Sequence, residues 1–146
     1  MLSEVAEKYY AQGYNCAESI IRAGNEVYDL HLHDRDMVMT AAFGGGFHIG
    51  DVCGALSGAA CVISARYIEK KAHDQKDVIR PLTQKLVIAF QKRMGSRLCA
   101  QIKPVFHKPE LKCRNTVAVA AQVLEEVLMS WDAEHPNTAL TQPVNV

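Results

Sequence analysis

Apolar positions recur along the chain at three- and four-residue intervals. No stretch keeps the strict alternation of a half-buried strand, so the pattern predicts an all-α fold. The expected architecture is a single compact bundle of about five to six helices around a central Gly/Ala-rich one. A first helix over 3–12 has Ser3 as N-cap and Gly13 as its left-handed exit. Asn15 caps a second, from Cys16 to about Tyr28, with Ala17, Ile20, Ile21, Gly24 and Val27 facing inward. Asp34 or Asp36 starts a third, which ends where Gly44-Gly45-Gly46 imposes a tight, bare loop.

Asp51 is placed to cap the central helix, from Val52 to about Lys71, whose Gly54, Ala55, Ser57, Gly58, Ala59 and Ala60 permit close backbone approach. Leu82, Leu86, Phe90 and Met94 follow at four-residue spacing in a fifth helix that stops at Gly95, with Pro81 starting or kinking it. A short helical turn surrounds Cys99. The last helix begins near Cys113, turns Val117, Ala120, Ala121, Leu124, Val127 and Leu128 inward, and ends around Trp131. Residues 1–131 thus form one domain, and the polar segment 132–146 reads as a frayed tail.

With 49% apolar residues over 146 positions, there is material for one sizeable core. Sixteen basic residues balance sixteen acidic ones, so no net field draws in nucleic acid or anionic lipid. No run approaches the roughly 20 apolar residues of a membrane span. The acidic, amphipathic start, Met1 to Lys8, lacks the layout of a secretory signal, and the expected location is cytoplasmic. In a reducing compartment spaced cysteines bind metal or do redox work more often than they form structural disulfides.

There are five cysteines, at 16, 53, 61, 99 and 113. Cys16 follows the Asn15 cap, Cys53 lies two residues past Asp51, Cys113 stands at the final helix, and Cys99 falls in a first turn beside Arg97. A helix start offers unpaired amide donors and partial positive charge, which favours thiolate and predicts lowered thiol pKa values. A lone cysteine is ordinarily a small buried hydrophobe, but four at helix starts share one environment. Cys61, between Ala60 and Val62 in mid-helix, reads as core.

Several segments together resemble the C_GCAxxG_C_C family of small helical, redox-active proteins with four characteristic cysteines. They are Gly13-Tyr14-Asn15-Cys16-Ala17-Glu18, Phe43-Gly44-Gly45-Gly46, Cys53-Gly54-Ala55-Leu56-Ser57-Gly58, Gly95-Ser96-Arg97-Leu98-Cys99, and Cys113 before the last helix. The family's name writes Gly-Cys-Ala where this chain has Cys53-Gly54-Ala55. The resemblance covers roughly residues 4 to 129. It implies that Cys16, Cys53, Cys99 and Cys113 are the redox positions and that Cys61 stands outside them.

Three chemistries suit four such thiols. The first is electron transfer through a cysteine-ligated iron-sulfur cluster, although ferredoxin-like ligand spacings are absent. The second is cofactor-free thiol-disulfide exchange, with no Cys-x-x-Cys pair to support it. The third is a zinc site, disfavoured because the nearest two of the four cysteines lie fourteen residues apart. His48 and His107 are candidate additional ligands or proton donors. The glycine run serves close packing or offers a wall of amides beside the cysteines. No Gly-x-Ser-x-Gly elbow, His-Glu-x-x-His pair or phosphate-binding loop supports hydrolase or nucleotide chemistry. The expected partner is another redox protein, and a flat helix face would suit a homodimer.

Overall fold

The apolar stripes fold into seven helices among the described residues, which in this computed structural model are 1–144. They are α1 (Leu2–Ala11), α2 (Cys16–Tyr28), the single turn α3 (Asp34–Met37), α4 (Gly54–Tyr67), α5 (Lys76–Met94), α6 (Cys99–Phe106) and α7 (Arg114–Glu134). No strand is present among these residues, and the fold is all-α as expected. α4 lies at the centre against α2, α5 and α7, while α1 packs across α2 and α7. The four-residue spacing of α5 is realised, with Leu82, Leu86, Phe90 and Met94 all buried, and Pro81 sits inside that helix rather than at its start. All five inward positions expected on α2 are buried, as are five of the six on α7; Val127 is half-buried.

The α2–α4 contact is the most extensive between helices. A methyl group added at Gly58 would come within 2.6 Å of the Ala17 carbonyl oxygen, and one at Gly24 within 2.5 Å of Val62. The absence of side chains there lets the two backbones meet. Asn15 caps α2 as expected, in a full capping box in which its side chain accepts from the Glu18 N–H and Glu18 accepts from the Asn15 N–H.

Several boundaries differ from expectation: α4 ends at Tyr67 rather than near Lys71, and α7 at Glu134 rather than near Trp131. Met1, not Ser3, precedes α1. The helix expected after residue 34 narrows at Val38 into a 3-10 turn through Phe43, ahead of a left-handed stretch that includes Gly45, Gly46, Phe47 and His48. α4 begins at Gly54 because Asp51 does not cap it. The Asp51 carbonyl accepts from the Cys99 N–H at 2.7 Å, and the Cys53 N–H donates to the Arg97 carbonyl at 2.8 Å. This two-rung ladder, with Val52 opposite Leu98, fixes the start of α6 against the start of α4.

Among the described residues the tail is not frayed. The Leu140 and Val144 N–H groups donate to the carbonyls of Arg66 and Val27, and the Trp131 indole donates to Thr138. Residues 145 and 146 of the expected tail lie outside the described residues. Beneath the tail Arg66 is fully buried. Its guanidinium pairs with Asp132 at 2.9 Å, donates to the Tyr67 hydroxyl at 2.8 Å and lies over the Tyr28 ring. The Tyr67 hydroxyl in turn donates to Asp132 at 2.6 Å.

Two stability outcomes follow. Asp132→Ala leaves Arg66 buried without its counter-charge and should cost about 3 kcal/mol in urea melts, whereas a loss under about 1 kcal/mol would contradict the pairing. Gly58→Ala drives a carbon into main chain that cannot step aside, and should destabilise by about 2 kcal/mol; a neutral outcome would mean that the helices separate at no cost.

Candidate functional site

Cys16, Cys53, Cys99 and Cys113 line one pocket of about 140 Å³, together with Tyr10, Gly45, Gly54, Ile102, Lys103 and Thr116. Each thiol arrives on a different helix start. Cys16 is the first residue of α2, Cys99 the first of α6, and Cys53 and Cys113 are the residues that immediately precede α4 and α7. The repeated environment expected from sequence is therefore present, and the helix starts converge.

Each sulfur is positioned by a distinct local cause. Cys16 comes beside α4 because Gly54 has no side chain; a methyl there would lie 2.5 Å from the Cys16 sulfur. Cys53 and Cys99 are joined by the ladder between 51–53 and 97–99. Cys113 is held by its own N–H, which donates to the Tyr10 hydroxyl at 3.0 Å and ties the start of α7 to α1.

For Cys16, Cys53 and Cys113 the expected lowering of the thiol pKa is reversed. Burial dominates, raising Cys53 to about 12, with the neighbouring Cys16 adding to it; the Leu56 and Ala55 amides pull the other way. Burial also raises Cys16, against the opposing pull of the Gly45 and Ala17 amides, and raises Cys113, against the attraction of Lys103 and a hydrogen bond from Tyr10. The helix-start amides do favour thiolate, but removing the sulfurs from water outweighs them. Both roles open to the glycine run are met: Gly44 packs against Asn15 and Gly46 against the Asp51 main chain, where a methyl would not fit, and the Gly45 amide favours the Cys16 thiolate.

His48 and His107 do not join the pocket. His48 is exposed on the left-handed stretch, and His107 terminates α6, where its N–H donates to the Lys103 carbonyl at 3.0 Å. Cys61 is half-buried in α4 and lines a separate apolar hollow with Ile21, Met39 and Phe43. All five cysteines are unpaired thiols. Among the described residues no three His, Cys, Asp or Glu side chains are grouped tightly enough to hold one metal ion. Tyr10, Lys103 and Thr116 were not foreseen as pocket residues. Tyr10 had no local signal, since its place depends on α1 crossing the start of α7, whereas Lys103 and Thr116, three or four residues past Cys99 and Cys113, follow from helical spacing once those cysteines mark helix starts.

The burial of Cys53 has a measurable signature. A raised native pKa means that the folded chain keeps a proton the unfolded chain releases, so this contribution to stability is complete below the unfolded thiol value near 8.5 and is lost as pH climbs towards about 12. In metal-free reduced protein, the ultraviolet thiolate band lost in Cys53→Ser should be absent up to pH about 10 and appear above it. Half-development of that band by pH about 8.5 would refute the burial account.

A family model described as "Putative redox-active protein (C_GCAxxG_C_C)" matches residues 14–127, a span that contains all four pocket cysteines. Comparison with curated proteins and with solved structures gives no match. Since that match runs over most of the sequence, the chain belongs to the C_GCAxxG_C_C family.

Proposed function

We propose that the pocket is an electron-transfer centre in which Cys16, Cys53, Cys99 and Cys113 hold an iron-sulfur cluster. The observation that carries this reading is the convergence of four thiols from four helix starts on one pocket. An all-cysteine set of four is the donor set of two-iron and four-iron clusters. The pocket is otherwise largely apolar, and main-chain amides of Gly45, Ala17, Ala55 and Leu56 act on its sulfurs.

Zinc sites usually draw their ligands from short-spaced pairs, and here the nearest two of the four cysteines lie fourteen residues apart, which favours a cluster over a single ion. Proton bookkeeping adds support. Exchange needs a standing thiolate, which burial makes scarce at neutral pH in three of the four cysteines, whereas metal ligation deprotonates a thiol outright.

When bound, the cluster supplies a reversible one-electron couple. The chain does the rest. Four cysteines hold the group, the helix-start amides spread its negative charge, Lys103 balances part of that charge at the mouth, and buried Ile102 and Thr116 keep water from the inner wall.

Protein prepared and kept without oxygen should show visible absorbance with matching iron and acid-labile sulfide. Cys16→Ser and Cys53→Ser should each abolish that absorbance, with helicity and cooperative melting retained, while Cys61→Ala spares it. Colourless protein that gains two or four thiols on reduction would replace the cluster with cofactor-free exchange, and stoichiometric zinc without redox change would replace both. Five inert thiols would end the redox reading of the pocket.

A further inference from the structure

The chain is neutral as a whole, but its charge is unevenly placed. Residues 97–114, which supply Cys99, Ile102, Lys103 and Cys113 to the pocket, carry five basic residues, Arg97, Lys103, Lys108, Lys112 and Arg114, and one acidic residue, Glu110. Of the five, Arg114 pairs with Glu7. Lys108 and Lys112 are exposed and face each other across a turn that leads into Cys113. Asp51 is the acidic group on the adjoining α4 approach.

Segment 97–114 and the adjoining residues 46–50 also leave large apolar side chains in water. Ile49 is 80% exposed and Val105 69%, with Phe47, Leu98 and Leu111 also exposed. Ile49 and Phe47 belong to the Gly46–Gly50 segment that packs on α6, where a methyl at Gly50 would touch Ala100 at 3.0 Å. These adjoining segments, which supply part of the pocket lining, thus combine exposed apolar side chains with basic residues, the composition of a protein docking face.

We infer that this face, formed by 47–49 and 97–114, docks an acidic electron-carrier protein over the cysteine pocket. The argument for the occupant is charge complementarity. Lys103, Lys108, Lys112 and Arg97 would steer a negatively charged partner and hold its register, while Ile49, Val105 and Leu98 supply the dry contact. A second copy of this chain fits poorly, because such a pairing sets basic face against basic face. The identity of the partner as an electron carrier rests on the reading of the pocket as a redox centre; the binding itself does not.

The test is a titration of isotope-labelled, reduced, metal-free protein with an acidic plant-type two-iron ferredoxin, followed by amide chemical shifts. Because no electron transfer is needed, a pocket that proves inert leaves the binding result interpretable, and loss of binding leaves the cluster assay untouched. Shifts should concentrate in 46–50 and 97–114 and fade between ionic strengths of about 0.02 M and about 0.5 M, as the Debye length shortens. Lys108→Glu with Lys112→Glu should weaken binding at least about tenfold, and Ile49→Ser with Val105→Ser should weaken it without changing the salt dependence. Absence of shifts at low salt, shifts centred elsewhere, or equal binding of a single-stranded oligonucleotide of matched charge would each overturn the inference; the last would mark a plain polyanion patch.

Discussion

The architecture depends on how closely α2 and α4 approach. Two helices with ordinary side chains pack 8–10 Å apart, and here Gly24, Gly54 and Gly58 remove the side chains that would keep them at that distance. The approach is set at Gly58 by the Ala17 main chain and at Gly54 by the Cys16 sulfur, so one seam fixes both the core and half of the cysteine set. The remaining two cysteines are then added by separate devices: the short ladder for Cys99 and the Tyr10 hydroxyl for Cys113. The site therefore has no rigid motif of its own, and it exists only where the tertiary fold brings helix starts together.

Burial and helix polarity oppose one another at these sulfurs. A helix end contributes about 0.3–1 kcal/mol towards an anion, less than the cost of taking a thiolate out of water into an apolar wall. The amides of Gly45, Ala17, Ala55 and Leu56 are therefore better understood as support for negative charge that a bound group brings than as activators of free thiols. That distinction favours ligation over exchange in the reading of the pocket.

Much of the fold was legible because helical periodicity is local: the α2 and α5 faces follow from spacing alone, and the Asn15-Glu18 box from a cap signature. The cysteine set was legible through the repeated helix-start context. The misreadings share a physical cause. Asp51 has every attribute of a cap, yet its carbonyl is taken by Cys99, a residue 48 positions on, and a pairing of two residues leaves no periodic trace. The polar composition of 132–144 gave no hint that its backbone would be held by Arg66 and Val27, because both partners become available only after α2 and α4 have packed. The pKa direction was misjudged because exposure of the thiols is a tertiary property that a helix-start pattern does not contain.

At Gly45 and Gly54 the pocket wall is main chain. At Gly54 the space between helix and sulfur is already used up, and a backbone offers no side chain to shorten or swap. Point substitution around the four cysteines can therefore reshape this pocket only where side chains line it, at Tyr10, Ile102, Lys103 and Thr116, and any natural or engineered retuning of the site must be written there.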